Sequence, residues 1–508
     1  MLPRLFIIAL LAFATNASAD AGLPGPVPSL PEQVSSLLLA ANIPPEAIGV
    51  IVLRGDQTLL AHRAGISMQP ASTMKLVTSI VALEQLGPAF RARTELRTSA
   101  DLIDGVLMGD LILRGGADPD FDDGALRRML QTLRNQGVRK INGDLILDRQ
   151  LFQPARPELG STPFDESPES RYNVIPDALL LNTNLLHINV RSTTKKLTLT
   201  LMPPLENVTL DADMTLGPGE CARWADGWST PDYVRGADGK ISITLHGSFP
   251  KNCMKTASVN LLDRNDYADR LFRATWRQLG GSFKGRVREA RQINVHELGT
   301  TGAMRGTGLP PNSTRLLTEH VSRVLPEVLR DINKSSDNTM ARMLYLSLGS
   351  LSFDPVFGSR PLPMVANTAL RSDMAVRQWL QQQRIPDDGL VLDNGSGLSR
   401  TARIQATQMA ALLQAASRSP WAPEFLASLP IVALDGTMRR RLGSSVAASR
   451  ARIKTGTLNN VVAIAGYVQD GHGQPCVVVA MINHDMAGSV AGRAVLDGLI
   501  DWVANSGL

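Results

Sequence analysis

The 508-residue sequence predicts an α/β fold of the α+β kind, with one domain assembled from both ends of the chain around a β-rich insertion. Three observations carry that expectation. Near the start, "IGVIVLRGDQTLLAHRAG" from Ile48 reads as two strands around a Gly55-Asp56 turn, leading straight into an apolar helical stretch. Between about 95 and 295 the texture changes to short alternating strands separated by turn residues. At the end, "SRARIKTGTLNNVVAIAGYVQDGHGQPCVVVAMINHD" holds three strand-like runs with an Asp470-Gly471 turn, and a helical pattern follows from about Val490 to Ala504. Chain termini commonly lie close together, which makes such an insertion easy to accommodate.

The first nineteen residues carry one arginine, an apolar run from Leu5 to Phe13 and the small residues Ala17-Ser18-Ala19. This predicts a secretory signal, residues 1–19, cut after Ala19. The run is well short of the ~20 residues that a membrane-spanning helix needs. The mature chain is therefore expected to be exported, without an integral membrane segment, and to reach the periplasm if the cell has two membranes. About 490 residues then remain, more than one core holds, since single cores stop growing near ~250–300 residues. The expected boundaries are 20–94 and 296–508 for the discontinuous α/β domain, and 95–295 for the insertion. Within the insertion "GDLIL" occurs twice, at 109–113 and 143–147, too short a repeat for a solenoid. From about 311 helical patterns return in "TRLLTEHVSRVLPEVLRDIN", "NTMARMLYLSL" and "DMAVRQWLQQQ". The last helix has Asp497 and Asp501 against the single basic Arg493, a poor anchor for an anionic membrane and a better cover for the sheet.

A net charge of +5 with no long basic run argues against nucleic acid and is compatible with an acidic envelope polymer. Three cysteines in an exported chain leave one over. Cys221 and Cys253 flank one short region and are the expected disulfide, whereas Cys476 precedes the buried-strand pattern "VVVAMI" and is expected as a free core thiol. The seven histidines are scattered without ligand spacing, so neither a metal nor another cofactor is expected.

Chemistry first shows in "QPASTMKLVTS", residues 69–79. Ser72 and Lys75 are i and i+3, neighbours on one helix face. The spacing itself is cheap: it recurs at Ser192–Lys195 and Ser248–Lys251. Only the first copy opens an apolar helical stripe, from Leu76 to Leu86, that Gly87-Pro88 stops. The second runs into the strand pattern "KLTLTLM", and the third contains a proline. A nucleophilic Ser72 needs a base, and Lys75 serves only if neutral, which burial and a second nearby cation can bring about. "RIKTGT" supplies that cation as Lys454 on a strand, with Thr455 as a hydroxyl for a carboxylate and Gly456 allowing close backbone approach. In "NKSSDNTMARML", Ser336 can relay a proton to a leaving group, while Asn338 can donate to a substrate carbonyl and accept from Lys75.

Serine-two-lysine, Ser-Asp-Asn and Lys-Thr-Gly in this order are the motifs of β-lactamases and penicillin-binding proteins. With the long insertion, "GDLILRGGADPDF" at 109–121 and "NGSGLSR" at 394–400, the whole mature chain resembles the class C low-molecular-mass penicillin-binding proteins, the D-alanyl-D-alanine carboxypeptidase/endopeptidases. The resemblance implies a transpeptidase-like domain, a five-stranded antiparallel sheet flanked by helices. It implies Ser72 as the acylated serine and Lys75 as its base. Ser336 and Asn338 form the second element, and Lys454, Thr455 and Gly456 the third. Backbone N–H groups of Ser72 and Thr457 would meet the oxyanion, and Arg400 and Asn459 would help bind the peptide side chain. Where some members have aspartate this chain has Asn394. An acidic and aromatic pair of the family's insertion matches only loosely near Asp165 and Tyr172, which are left outside the expected site. The implied ligands are peptidoglycan peptides and β-lactams, with peripheral membrane association left open. The rival expectations are a β-lactamase, for which so large an insertion is superfluous, and a non-hydrolytic peptidoglycan-binding or β-lactam-sensing protein.

Overall fold

The computed structural model describes residues 30–156, 163–291, 314–363 and 367–507. The predicted signal at 1–19 lies outside the described residues. Its centre is a five-stranded antiparallel sheet. The strands are β1 (Ile48–Arg54), β2 (Gln57–His62), β3 (Arg452–Leu458), β4 (Val461–Gln469) and β5 (Pro475–Asn483), in the order β2-β1-β5-β4-β3. The fold class expected from the sequence is thus present, and the sheet joins the two ends of the chain.

The sheet is covered on both faces, which explains why β4 and β5 read as continuous apolar runs. Alternate residues of β4 part company: Val462, Ile464 and Val468 pack with α1 (Glu32–Ala40) and α6 (Val490–Asn505). Ala463, Ala465 and Tyr467 pack with α2 (Lys75–Leu86) and α5 (Ala406–Arg418). Helix α2 is buried on nearly all sides, and Gly87 at φ +75° ends it with its N–H on Leu83 O. Among the described residues no helix is long and apolar enough to cross a membrane.

Residues 93–321 hold a second core of their own, running from Leu96 to Trp276 with Leu317 against its edge. Its largest sheet has five strands, and strands Arg93–Thr98 and Arg315–Val321, at the two ends of this region, pair side by side. The two "GDLIL" copies are parallel neighbours in register, Leu111 opposite Leu145 and Leu113 opposite Leu147. Cys221 and Cys253 are bridged, and Cys476 is free and buried.

One element differs from its sequence pattern. "TRLLTEHVSRVLPEVLRDIN" is not helical throughout: Arg315–Val321 is a strand, and helix α3 (Leu325–Ser335) begins only after it, with Pro326 in its first turn. The partner that makes the strand lies more than two hundred residues earlier, beyond the reach of local periodicity. A small cluster of Phe152, Val174, Leu180 and Leu185 with Met343 of α4 (Asn338–Leu348) joins this region to the helix that carries Asn338.

Candidate active site

Residues Ala71–Met74 form a single 3₁₀ turn that runs straight into α2. Ala71 adopts φ +45°, a conformation that costs a residue with a Cβ about 1–2 kcal/mol. It is held by two glycines whose missing side chains let backbone come close. A Cβ on Gly397 would lie 1.8 Å from Ala71 O, and one on Gly456 would lie 2.7 Å from Pro70 O and 2.9 Å from Ser72 N. The half-buried Ser72 is thereby set against the third strand and the 394–400 loop at once.

Lys75 is fully buried and has three partners: Ser72 Oγ at 2.9 Å, Asn338 Oδ1 at 2.6 Å and Ser396 O at 2.7 Å. Two of these are carbonyl oxygens, which only accept. Once deprotonated, the amine can give them its two hydrogens and turn its lone pair to the Ser72 hydroxyl. Burial first, and then the charge of Lys454, hold the Lys75 ammonium well below its usual pKa, with Asp337 pulling the other way. The two other serine-two-lysine copies leave Lys195 and Lys251 exposed, with Ser192 and Ser248 inside strands.

Ser336, Asp337 and Asn338 occupy the joint between α3 (Leu325–Ser335) and α4. Ser336 ends α3 in the left-handed region at φ +60°. Asp337 caps α4 by accepting from Met340 N at 2.8 Å, and Asn338 is the first helical residue. The break between the helices turns Ser336 Oγ to Lys454 Nζ, 2.9 Å away, and Asn338 Oδ1 to Lys75. Lys454 is fully buried, donates also to Thr455 O at 2.7 Å, and burial brings its pKa down to about 7.

Two serine–lysine pairs therefore stand together, joined through Asn338 and the third strand. Thr455 is partly exposed and Thr457 exposed on that strand. Asn459 is exposed on the turn beyond it, and its side chain is hydrogen-bonded to none of the others. Arg400 is exposed, with its guanidinium 4.7 Å over the Phe164 ring and its carbonyl accepting from Gln69 Nε2 at 2.7 Å.

Several participants escaped the sequence reading. Ser396 contributes only a backbone oxygen, which no side-chain motif reveals. Its position is set by Asn394, which accepts from Ser396 N and Oγ and donates to Leu398 O at 2.9 Å. An aspartate in that place would lack the donor. Asp165 and Tyr172, left out on sequence grounds, lie at the rim: Tyr172 Oη donates to Asp165 at 2.8 Å, and Tyr172 O accepts from Asn338 Nδ2 at 3.3 Å. A cavity of about 540 Å³ opens between this segment and the 394–400 loop, with Phe164, Asn173, Arg342, Asp393 and Arg400 in its wall.

A nucleophile beside a buried lysine of depressed pKa, a second serine on a second lysine, and a strand at the edge of the sheet suit acyl transfer. Comparison with known proteins agrees. The D-Ala-D-Ala carboxypeptidase 3 (S13) family matches residues 30–506. D-alanyl-D-alanine carboxypeptidase DacB of Haemophilus influenzae is 26% identical over 471 residues, 89% of this chain and 88% of the relative. D-alanyl-D-alanine carboxypeptidase of Actinomadura sp. (strain R39) is 26% identical over 506 residues, 96% and 86% of the two chains. Among solved structures, penicillin binding protein 4 (dacB) of Haemophilus influenzae superposes with a TM-score of 0.68 at 24% identity, covering 92% of this chain and 97% of that one.

Proposed function

The chain belongs to the D-Ala-D-Ala carboxypeptidase 3 (S13) family, and we propose that it hydrolyses peptidoglycan stem peptides, and cross-links between them, through an acyl-enzyme on Ser72. The observation that carries this reading is the buried Lys75 amine, 2.9 Å from Ser72 Oγ with its other two partners both carbonyl oxygens. Lys75 takes the Ser72 proton as Oγ bonds to the carbonyl carbon of the D-Ala-D-Ala or D-Ala-diaminopimelate bond. Backbone N–H groups of Ser72 and Thr457 meet the oxyanion, and one such donor is typically worth ~2.7–4 kcal/mol. As the C–N bond breaks, Ser336, backed by Lys454, passes its proton to the leaving amine and is replenished by the proton that Lys75 took up, which returns Lys75 to the neutral amine. Water then attacks the ester carbonyl and gives a proton to Lys75, and as the bond to Ser72 Oγ breaks Lys75 hands that proton to Oγ, regenerating Ser72 and the neutral amine. Lys454 and Thr455 hold the carboxylate of the leaving residue, and the edge of the third strand receives the peptide backbone. Arg400 and the cavity beside it suit the side chain of the residue on the acyl side, with Asn459 at the strand's far end. A β-lactam enters the same steps, its ring amide in place of the peptide bond.

The substrate is a wall polymer, and the apolar leader at 1–19 supports a periplasmic location. Digestion of purified muropeptides tests the reading, combined with the lifetime of a labelled penicillin adduct. Release of D-alanine and cleavage of dimers with a long-lived adduct is expected. A rapidly cleared adduct with untouched muropeptides would make the protein a β-lactamase, and a stable adduct without any digestion would make it a sensor or binding protein.

A further inference from the structure

The hydroxyl assigned to the substrate carboxylate has a partner that no motif announces. Thr455 Oγ1 donates to Thr437 Oγ1 at 2.7 Å. Thr437 is exposed, yet its backbone is fixed. It sits in the single turn Gly436–Met438, whose Met438 side chain is fully buried. On one side Asp435 accepts from Ile431 N at 2.8 Å and from Lys334 Nζ. On the other, Ala433 N reaches Met438 O at 3.1 Å. Gly436 presses on Lys334, where a Cβ would lie 2.8 Å from the carbonyl oxygen. Lys334 is in the last turn of α3, two residues before Ser336. The turn is thus tied to the same joint that places Ser336 on Lys454.

Each hydroxyl has one hydrogen to give. If Thr455 spends its hydrogen on Thr437, it shows only lone pairs to an incoming anion. If Thr437 donates instead, Thr455 can accept from it while donating to the carboxylate, and a chain polarised in one direction strengthens each of its bonds. We propose that Thr437 is a positioning residue for carboxylate recognition, acting through Thr455: as the anion enters, the hydroxyl pair reverses, Thr437 donates to the Thr455 hydroxyl and the Thr455 hydrogen turns to the substrate. The inference rests on the reading that Thr455 meets the carboxylate.

Acylation rates with benzylpenicillin and with its methyl ester, which lacks the carboxylate, provide the test. Thr437→Val should slow benzylpenicillin roughly three- to tenfold, the size of one neutral hydrogen bond, and leave the ester nearly unchanged. Thr437→Ser should restore the rate, and Thr437→Val on top of Thr455→Val should add nothing. Equal losses for acid and ester, or additive losses in the double variant, would overturn the positioning role while leaving Thr455 in place. If Thr455→Val itself fails to separate acid from ester, the carboxylate reading falls, and the inference with it.

Discussion

The two serine–lysine pairs make the same contact by different means. Lys75 and Ser72 are three residues apart, and the start of one helix brings them to 2.9 Å. Lys454 and Ser336 are 118 residues apart, come from a strand and a helix joint, and also meet at 2.9 Å. Their surroundings differ more than their distances. Lys75 is held by two further carbonyl oxygens, a setting for an amine that must offer a lone pair. Among the described residues Lys454 has only its neighbour's carbonyl besides Ser336, so that its ammonium form keeps a hydrogen for an incoming anion. The same residue types at the same distance thus suit opposite tasks, base and anion holder, and the acceptors around each lysine make the difference.

The largest effect expected follows from the local pair. Ser72→Ala should abolish covalent penicillin labelling with the fold intact by circular dichroism, and Lys75→Ala should lose about three or more orders of magnitude in acylation rate. Labelling of the alanine variant at another serine would break the comparison outright.

The assembled pair should matter less. Lys454→Met should slow acylation roughly ten- to a hundredfold, as expected for one charge-assisted bond. It should also change how stability varies with pH. The folded pKa of Lys454, about 7, lies below the ordinary lysine value, so between the two the unfolded chain binds more protons. Stability then rises with pH from about 7 toward the unfolded pKa, and Lys75, also depressed, contributes in the same direction. Urea unfolding at neutral and alkaline pH should show the wild type gaining on Lys454→Met; parallel curves would mean Lys454 is not depressed.

Beyond the pairs, Arg400→Ala should lower kcat/KM for muropeptides roughly ten- to a hundredfold while penicillin acylation changes little. Equal losses would place Arg400 in support of the centre instead. The smallest effect on chemistry is expected from the inserted region. Replacing Cys221 and Cys253 by serine opens a bridge spanning 32 residues and should cost about 2–4 kcal/mol of stability, read by denaturant titration, with acylation unchanged. A fall in acylation would show that the bridge's influence reaches the catalytic centre.

Much of the fold is legible from local pattern because it is driven by local pattern. The β1–β2 hairpin, the α2 stripe with its glycine stop, and the last three strands each bury a face that their own residues define. The strand at 315–321 escaped because an apolar spacing compatible with a helix was captured by a distant edge, Arg93–Thr98. The same division runs through the site. Ser72 and Lys75 are adjacent by helical spacing alone, and "SDN" and "KTG" are recognisable as residue types suited to the task. Asn394 shows the limit: its departure from the family pattern is visible in the sequence, but its bond to Leu398 O is not.

The sequence by itself determined the chain's α+β periodicities and the identity of the chemical groups. Tertiary structure alone decided what surrounds them. It supplied the Ser396 carbonyl on Lys75, the Tyr172 carbonyl on Asn338, the Thr437 hydroxyl on Thr455 and the aromatic face under Arg400. The reason is physical. Spacing along the chain fixes which side chains a helix or strand aligns, but the desolvation that depresses a lysine, and the backbone oxygens that orient it, come from segments hundreds of residues away.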